Sequence, residues 1–441
     1  MTNRDALEAV RHAALRFPPD EDGSAPLLDL IGDAHLVLIG EATHGTDEFY
    51  RIRAKLTSAL IRSKQFNVVA VEADWPDAYS VNRRVRETSD EAGAASALDD
   101  FVRFPRWMWR NTVVVDFIEW LRNYNSRRMA SDRVGFYGLD LYSLHSSIEA
   151  VLSYLGKVDP EAAARARRRY SCFDDFGTDA AQSHGFAATL GLSRSCEDDV
   201  VSQLMEMGKT AADYTSRDGR VAEDEHFYAE QNARLVLNSE RYYRAMFAGH
   251  VESWNLRDTH MMETLDSLLA WTTTHSGYAR AVVWAHNSHL GDARATQMGE
   301  WGELSLGQLA RERHRDNVFL LGFTTHTGTV TAAREWDEPA ERRRVRPSIP
   351  GSYEHLFHQT GFERFLLSTA ESRDALTASR LERAIGVIYK PETERACHYF
   401  GARIADQFDA VIHVDTTSAL MPLERWSREN SDLPETYPTG L

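Results

Sequence analysis

Four short apolar runs in this chain each stop abruptly at polar residues, and that repetition limits what it can fold into. Leu36-Val-Leu-Ile39 runs into Gly40-Glu-Ala-Thr-His-Gly45, and Val68-Val-Ala-Val71 runs into Glu72 and Asp74. Gly135-Phe-Tyr-Gly-Leu139 ends at Asp140, and Ala281-Val-Val-Trp-Ala285 ends at His286-Asn-Ser-His289. Continuous apolar runs of this length suit strands buried on both faces, as in parallel sheets. Between the first two runs, Phe49, Ile52, Leu56, Leu60 and Ile61 recur at helical spacing. Thr46 or Asp47 can cap that helix, and acidic Asp47 and Glu48 suit its first turn. A strand–helix–strand unit of this kind predicts an α/β fold with a mostly parallel central sheet flanked by helices.

Further strands are predicted at Val318–Gly322, Gly328–Ala332, Phe365–Leu367, Ile385–Tyr389 and Val411–Val414. From about Ser146 to His275 the strand signal nearly vanishes, and Ala, Arg, Glu and Leu predominate. Residues 146–275 are therefore read as a helical insertion or cap forming one wall of the cleft. With no Pro/Gly-rich linker and no internal repeat, residues 1–441 are read as a single α/β domain.

Charge and cysteine content narrow the partners. The chain has 50 Lys and Arg against 66 Asp and Glu, a formal net charge of −16. Nucleic acid and anionic membranes require a positive face, so neither is expected as a partner. No stretch approaches the ~18 apolar residues of a membrane span, and the opening residues carry no apolar signal core. Cys172, Cys196 and Cys397 are too few and scattered for a disulfide framework or a cysteine-rich zinc site, and the simplest expectation is a reducing cytoplasm. Oligomeric state is not legible.

In a parallel α/β sheet the ligand crevice lies beyond the carboxyl ends of the strands. If the four runs share one sheet, Glu41, His44, Glu72, Asp140, His286 and His289 converge there, with Asp74 beside them. Imidazole ordinarily titrates near ~6.5, which suits it to take a proton from water. His44 stands just before a helix start, where unpaired N–H groups can receive an oxyanion, and Glu41 can orient its ring. The alternative is that Glu41 and His44 merely satisfy a tight turn. His286 and His289 can stabilise an oxyanion, hold substrate or bind a metal, and two histidines with two glutamates make a plausible metal shell. Arg53 reads as an anion clamp at the same mouth or as a salt-bridged arginine. Trp107 and Trp109, followed by Asn111, read as an aromatic wall for an organic substrate or as the packing of a helix over Val113–Leu121. The cluster Arg342-Arg-Arg344 with Arg346 reads as a solvated loop. Gly-x-Ser-x-Gly, His-Glu-x-x-His and the nucleotide-binding glycine motifs are all missing, which removes the usual support for serine hydrolases, zincins, NTPases and nicotinamide enzymes.

Gly40-Glu-Ala-Thr-His-Gly45 followed by Glu48-Phe-Tyr-Arg-Ile-Arg53 resembles the opening signature of the erythromycin esterase family. The resemblance continues through Val71-Glu-Ala-Asp-Trp75, Arg106-Trp-Met-Trp-Arg-Asn111, Phe136-Tyr-Gly-Leu-Asp140 and Ala285-His-Asn-Ser-His289, covering roughly Leu36 to Leu423. The tail, from Tyr389-Lys-Pro to Gln407-Phe-Asp-Ala-Val-Ile-His413, is similar to a broad branch of the family more than to its macrolide-resistance enzymes. The resemblance implies hydrolysis of a small-molecule ester or lactone, in the resistance enzymes that of a macrolide, with no obligatory cofactor. It implies His44 as general base, with Glu41, Glu72, Arg53, His286 and His289 at the other active-site positions. A wider group with related Glu and Gly-x-x-His elements includes metal-binding members. A divalent metal at these residues, or a non-catalytic binding protein of the same fold, stays open as an alternative.

Overall fold

A computed structural model describes residues 3–17, 24–86, 93–176, 196–215, 220–424 and 426. The strands are β1 (Leu15–Arg16), β2 (Leu36–Ile39), β3 (Val68–Asp74), β4 (Gly135–Asp140), β5 (Ala281–Trp284) and β6 (Val318–Ala332). They continue with β7 (Glu341–Val345), β8 (Arg364–Ser368), β9 (Arg380–Arg383), β10 (Tyr399–Ala402) and β11 (Ala410–Thr417). The main sheet runs β1-β8-β11-β6-β2-β5-β3-β4, with β7 added to β6, while β9 and β10 pair separately. From β11 through β4 all neighbours are parallel, and β1, β7 and β8 are antiparallel additions. The chain is thus α/β with a mostly parallel sheet, as its apolar runs predict.

The two-residue period of a strand explains the core. Val37, Ile39, Val69, Val71, Val282 and Trp284 face one side, packing with Phe49, Ile52, Leu56 and Leu60 of the Asp47–Lys64 helix. Leu36, Leu38, Val68, Ala70 and Val283 face the other, against Met261, Met262, Leu265 and Leu268 of the His250–Ser276 helix. Both faces are covered, so every residue of β2, β3, β4 and β5 is buried. Among the described residues, five α-helices separate β4 from β5: Leu144–Val158, Pro160–Tyr170, Glu197–Thr215, Arg220–Ala248 and His250–Ser276. Side chains of this segment, among them Val151, Leu155, Val200 and Val236, form an apolar cluster of their own. The last helix then returns across the sheet. Among the described residues no helix is long and apolar enough to cross a membrane.

Several expectations are corrected. The runs at Val318–Gly322 and Gly328–Ala332 form one strand, β6, because the intervening Phe323–Thr327 pairs continuously with β11. Ile385–Tyr389 is not a strand; Ile385 and Ile388 make only isolated bridges, to Thr43 and Ala333. The arginine cluster is not a solvated loop: Arg342–Arg344 lie in β7, paired with β6. Arg343 and Val345 turn inward, Arg343 pairing with Glu341 at 2.7 Å, while Arg342 and Arg344 face solvent and keep the edge charged. The cysteines are not all free thiols, since Cys172 and Cys196 form a disulfide with a Cα–Cα distance of 6.0 Å. Their pairing bridges the 3-10 turn after Pro160–Tyr170 to the start of Glu197–Thr215, and Cys397 remains free and exposed.

Candidate active site

Sheet order brings distant residues together. Because β2, β5, β3 and β4 lie side by side, their carboxyl ends place Glu41, His286, Glu72 and Asp140 in one row. The loop after β2 carries His44 and is clamped on three sides. The Asn287 N–H donates to Glu41 O at 2.8 Å, the His44 N–H to Ile385 O at 3.3 Å, and the Thr331 N–H to Gly45 O at 3.0 Å. Gly45 is required by that approach, since a Cβ there would lie 1.9 Å from the Thr331 carbonyl oxygen. Thr46 caps the Asp47–Lys64 helix by backbone position only, its hydroxyl bonding instead to that of Thr43.

Glu41 and His44 form a buried unit. His44 Nδ1 lies 2.8 Å from Glu41 Oε1, and the Arg53 guanidinium lies 2.7 Å from Glu41 Oε2, an ion pair without an aligned hydrogen bond. A carboxylate paired with a cation can only accept, so the bond assigns the imidazole proton to Nδ1 and leaves the Nε2 lone pair free. Arg53 does not line the cavity. It is 1% exposed, sits over the Tyr50 and Trp284 rings at 4.2 and 5.2 Å, and lies behind Glu41, outside the cavity lining.

His286 is built the opposite way. Its ring centroid is 4.8 Å from that of His44. Nδ1 accepts from the Ser288 N–H at 3.3 Å and lies 2.8 Å from the Ser288 hydroxyl, so the proton is assigned to Nε2. Nε2 has no aligned hydrogen-bond partner among the described residues, though the Ala42 carbonyl lies near enough to favour a proton on the ring. Burial, reinforced by His44, holds His286 well below the usual imidazole range despite the opposing pull of Glu72. The ring is therefore neutral near pH 7, with an N–H that has no aligned partner among the described residues.

A third group surrounds Arg257, which the sequence reading missed. It donates to Asp140 Oδ1 and Oδ2 at 2.9 and 2.6 Å and to Glu72 Oε1 at 2.8 Å. Its other nitrogen lies 2.9 Å from His289 Nε2. His289 Nδ1 lies 2.9 Å from Asp258 Oδ2, and its ring stacks on Trp254 at 4.5 Å. Glu72 Oε2 accepts the His286 N–H at 2.8 Å. Burial alone pushes the Glu72 carboxyl up, but His289, His44, Arg257 and that N–H together hold it well below the usual carboxylate range. Burial works against a charged His289, and Asp258 and Glu72 outweigh it, raising its pKa. Trp254, Arg257 and Asp258 stand at helical i, i+3, i+4 spacing, and that shared face was the available signal.

Around these groups lies a cavity of about 360 Å³ that takes in His44, Glu72, Asp74, Asp140, His286 and His289. Trp109 joins Phe101, Phe104, Met108, Tyr142 and Trp336 on its wall. Trp107 does not; it is packed into the core. Asn111 is fully buried and caps the Thr112–Asn125 helix, its Oδ1 accepting the Val114 N–H at 2.9 Å and its amide donating to Met108 O at 2.9 Å. Asp74 is held by Arg103 and by the Tyr142 N–H at 2.8 Å.

The residues do not fit a metal well. Among the described residues no three His, Cys, Asp or Glu side chains are grouped to hold an ion. The place between Glu72, Asp140 and His289 is filled by the guanidinium of Arg257.

Residues 61–417 match the model of the family described as erythromycin esterase. The chain belongs to the erythromycin esterase family. A member named erythromycin esterase type II, from Escherichia coli, is 24% identical over 335 residues, covering 72% of this chain and 75% of its own. A Bacillus cereus protein of solved structure aligns over 96% of this chain and 100% of its own, at 17% identity and TM-score 0.77. A mutant of the erythromycin esterase EreC, in its open conformation, aligns over 89% and 93%, at 15% identity and TM-score 0.65. These two share the α/β fold. Family membership supports a hydrolase acting on a small molecule.

Proposed function

We propose that this family member hydrolyses a carboxylic ester or lactone with water activated by His44, without a metal. The observation that carries this reading is the Glu41–His44–His286 arrangement: two imidazoles 4.8 Å apart, one tied so that Nε2 accepts and the other so that Nε2 donates. Water loses a proton to His44 Nε2 as its oxygen bonds to the ester carbonyl carbon. The charge that forms on the carbonyl oxygen is met by the His286 Nε2–H, which has no aligned partner among the described residues although the Ala42 carbonyl lies close by. Glu41, fixed by Arg53, stabilises the imidazolium. As the tetrahedral intermediate collapses, the C–O bond to the leaving alcohol breaks and His44 returns its proton to that oxygen. Arg257, neutralised by Glu72 and Asp140, sets the opposite wall, and His289 is held there by Asp258.

A panel of lactones and simple esters, assayed with wild type and His44→Ala, tests the proposal. General-base removal should lower kcat by ~10²–10⁴ while the circular dichroism spectrum and Tm hold. A His44→Ala protein within tenfold of wild type would remove His44 from the mechanism.

A further inference from the structure

The cavity contains four carboxyl groups, and three have a partner of opposite charge. Glu72 and Asp140 share Arg257, and Asp74 pairs with Arg103. Asp77, on the first turn of the Trp75–Arg86 helix, has none: it makes no hydrogen bond or ion pair among the described residues. It is nonetheless only 7% exposed, and what it borders is the cavity. Burying a carboxyl without a partner is costly, so such groups stay neutral or await a ligand. Phe101, Phe104 and Trp336 line the same cavity, and aromatic rings attract cations; Tyr142 also lines it, but its ring is already taken by Arg103 and Arg257.

We infer that Asp77 and this aromatic wall form a subsite for a basic amine carried by the substrate, separate from the groups acting on the scissile bond. Burial first, and the neighbouring Asp74 second, push the Asp77 carboxyl up to about 8, with Asp100 adding to the rise and Arg103 opposing it. An alkylamine, more basic than that, takes the carboxyl proton on entry. The product is an ammonium–carboxylate pair inside the cavity, with no other group required. Among hydrolysable esters, those bearing a basic amine are then preferred over neutral isosteres.

The inference rests on the hydrolase reading for the word substrate, and the test keeps the two apart. Wild type and Asp77→Asn are assayed on 2-(dimethylamino)ethyl phenylacetate and its carbon isostere, 3-methylbutyl phenylacetate. Charge-assisted hydrogen bonds predict a wild-type KM about tenfold or more lower for the amine ester, and loss of that preference in the variant. Equal KM values for the two esters in wild type, or an undiminished preference in Asp77→Asn, overturn the subsite. If wild type turns over neither ester, tryptophan fluorescence decides alone, because Trp109, Trp254 and Trp336 line the cavity. Titration with N,N-dimethyl-2-phenylethylamine should then quench wild type with an affinity at least tenfold above that of Asp77→Asn. Equal affinities refute it. Asp77→Ser, compared by Tm, replaces Asp77→Asn should the latter fail to fold.

Discussion

Replacing Glu41 with Gln isolates the contact on which the proposed base depends. The Arg53 guanidinium is 1% exposed and 2.7 Å from Glu41 Oε2, and no other carboxylate is paired with it among the described residues. The amide keeps the shape of the carboxylate and removes its charge, leaving a buried cation without compensation. Breaking a buried pair from one side costs about 3–5 kcal/mol. The Tyr50 and Trp284 faces attract Arg53 in wild type and variant alike, so they do not offset the loss. At the ring, Gln Oε1 still accepts from His44 Nδ1–H, but the charge that steadied the imidazolium is gone. A hydrogen bond to a charged group is worth about 1.5–3 kcal/mol, which sets the fall in kcat at roughly 10- to 100-fold. Urea unfolding of wild type, Glu41→Gln, Arg53→Met and the double variant gives the stability side, because the methionine removes the cation and keeps much of its length. The double variant should cost less than the two singles added, by about 1 kcal/mol or more. If the single costs simply add, and Glu41→Gln turns over ester at the wild-type rate, Arg53 and Glu41 do not act as a unit.

Arg257→Met should cost about 3–5 kcal/mol in urea unfolding, because Glu72 and Asp140 lose their shared cation. A cost below about 1 kcal/mol would count against the shared pairing. His260 lies fully inside the His250–Ser276 helix packing, and burial lowers it to about 4 against ~6.5 in the unfolded chain. The unfolded state therefore binds the proton more tightly, and stability falls as pH drops through that window. His260 contributes roughly 2 kcal/mol to the loss between pH 7 and pH 5, and His260→Gln should reduce the loss by about that amount. Dialysis against a strong chelator should leave kcat/KM unchanged; activity that disappears and returns with a divalent ion would reverse the metal-independent reading.

The sheet and the row of polar groups above it were legible because strands buried on both faces leave a plain apolar signature, and its end marks the crevice. What was not legible is what those groups lean on. Arg257 comes from the helix that closes the helical segment between β4 and β5, more than a hundred residues from Asp140 in sequence, and only the return of that helix over β4 and β5 brings them together. Arg53 was visible as a residue near His44, but its side chain points behind Glu41, a direction that depends on packing of Tyr50 and Trp284. Asn111 was read with the aromatic wall, and its side chain instead caps the helix that begins at Thr112. The arginines of β7 failed the strand test because an edge strand needs charge outward on one face only. The disulfide escaped notice because 24 residues of sequence say nothing about how close two helix ends lie.

The two imidazoles show where local sequence does reach the chemistry. Each is tied through Nδ1 to a near neighbour, His44 to Glu41 three residues earlier and His286 to Ser288 two residues later. A carboxylate at that nitrogen must accept, and a backbone N–H must donate, so the same atom is a donor in one ring and an acceptor in the other. The remaining nitrogens are then complementary, a lone pair on one and a proton on the other. In the folded loops, Glu41 and the Ser288 backbone N–H thus set two opposite tautomers. The sheet adds only their meeting, by placing β2 beside β5. Ser288→Gly is the sharpest probe of that division. It keeps the backbone N–H that sets the His286 tautomer and removes the hydroxyl, so it should retain most activity. Ser288→Pro deletes the N–H as well, frees the ring to take either tautomer, and should lower kcat toward the His286→Ala level. Equal activity of the two variants, each shown folded by its Tm, would mean that the backbone N–H does not choose the tautomer.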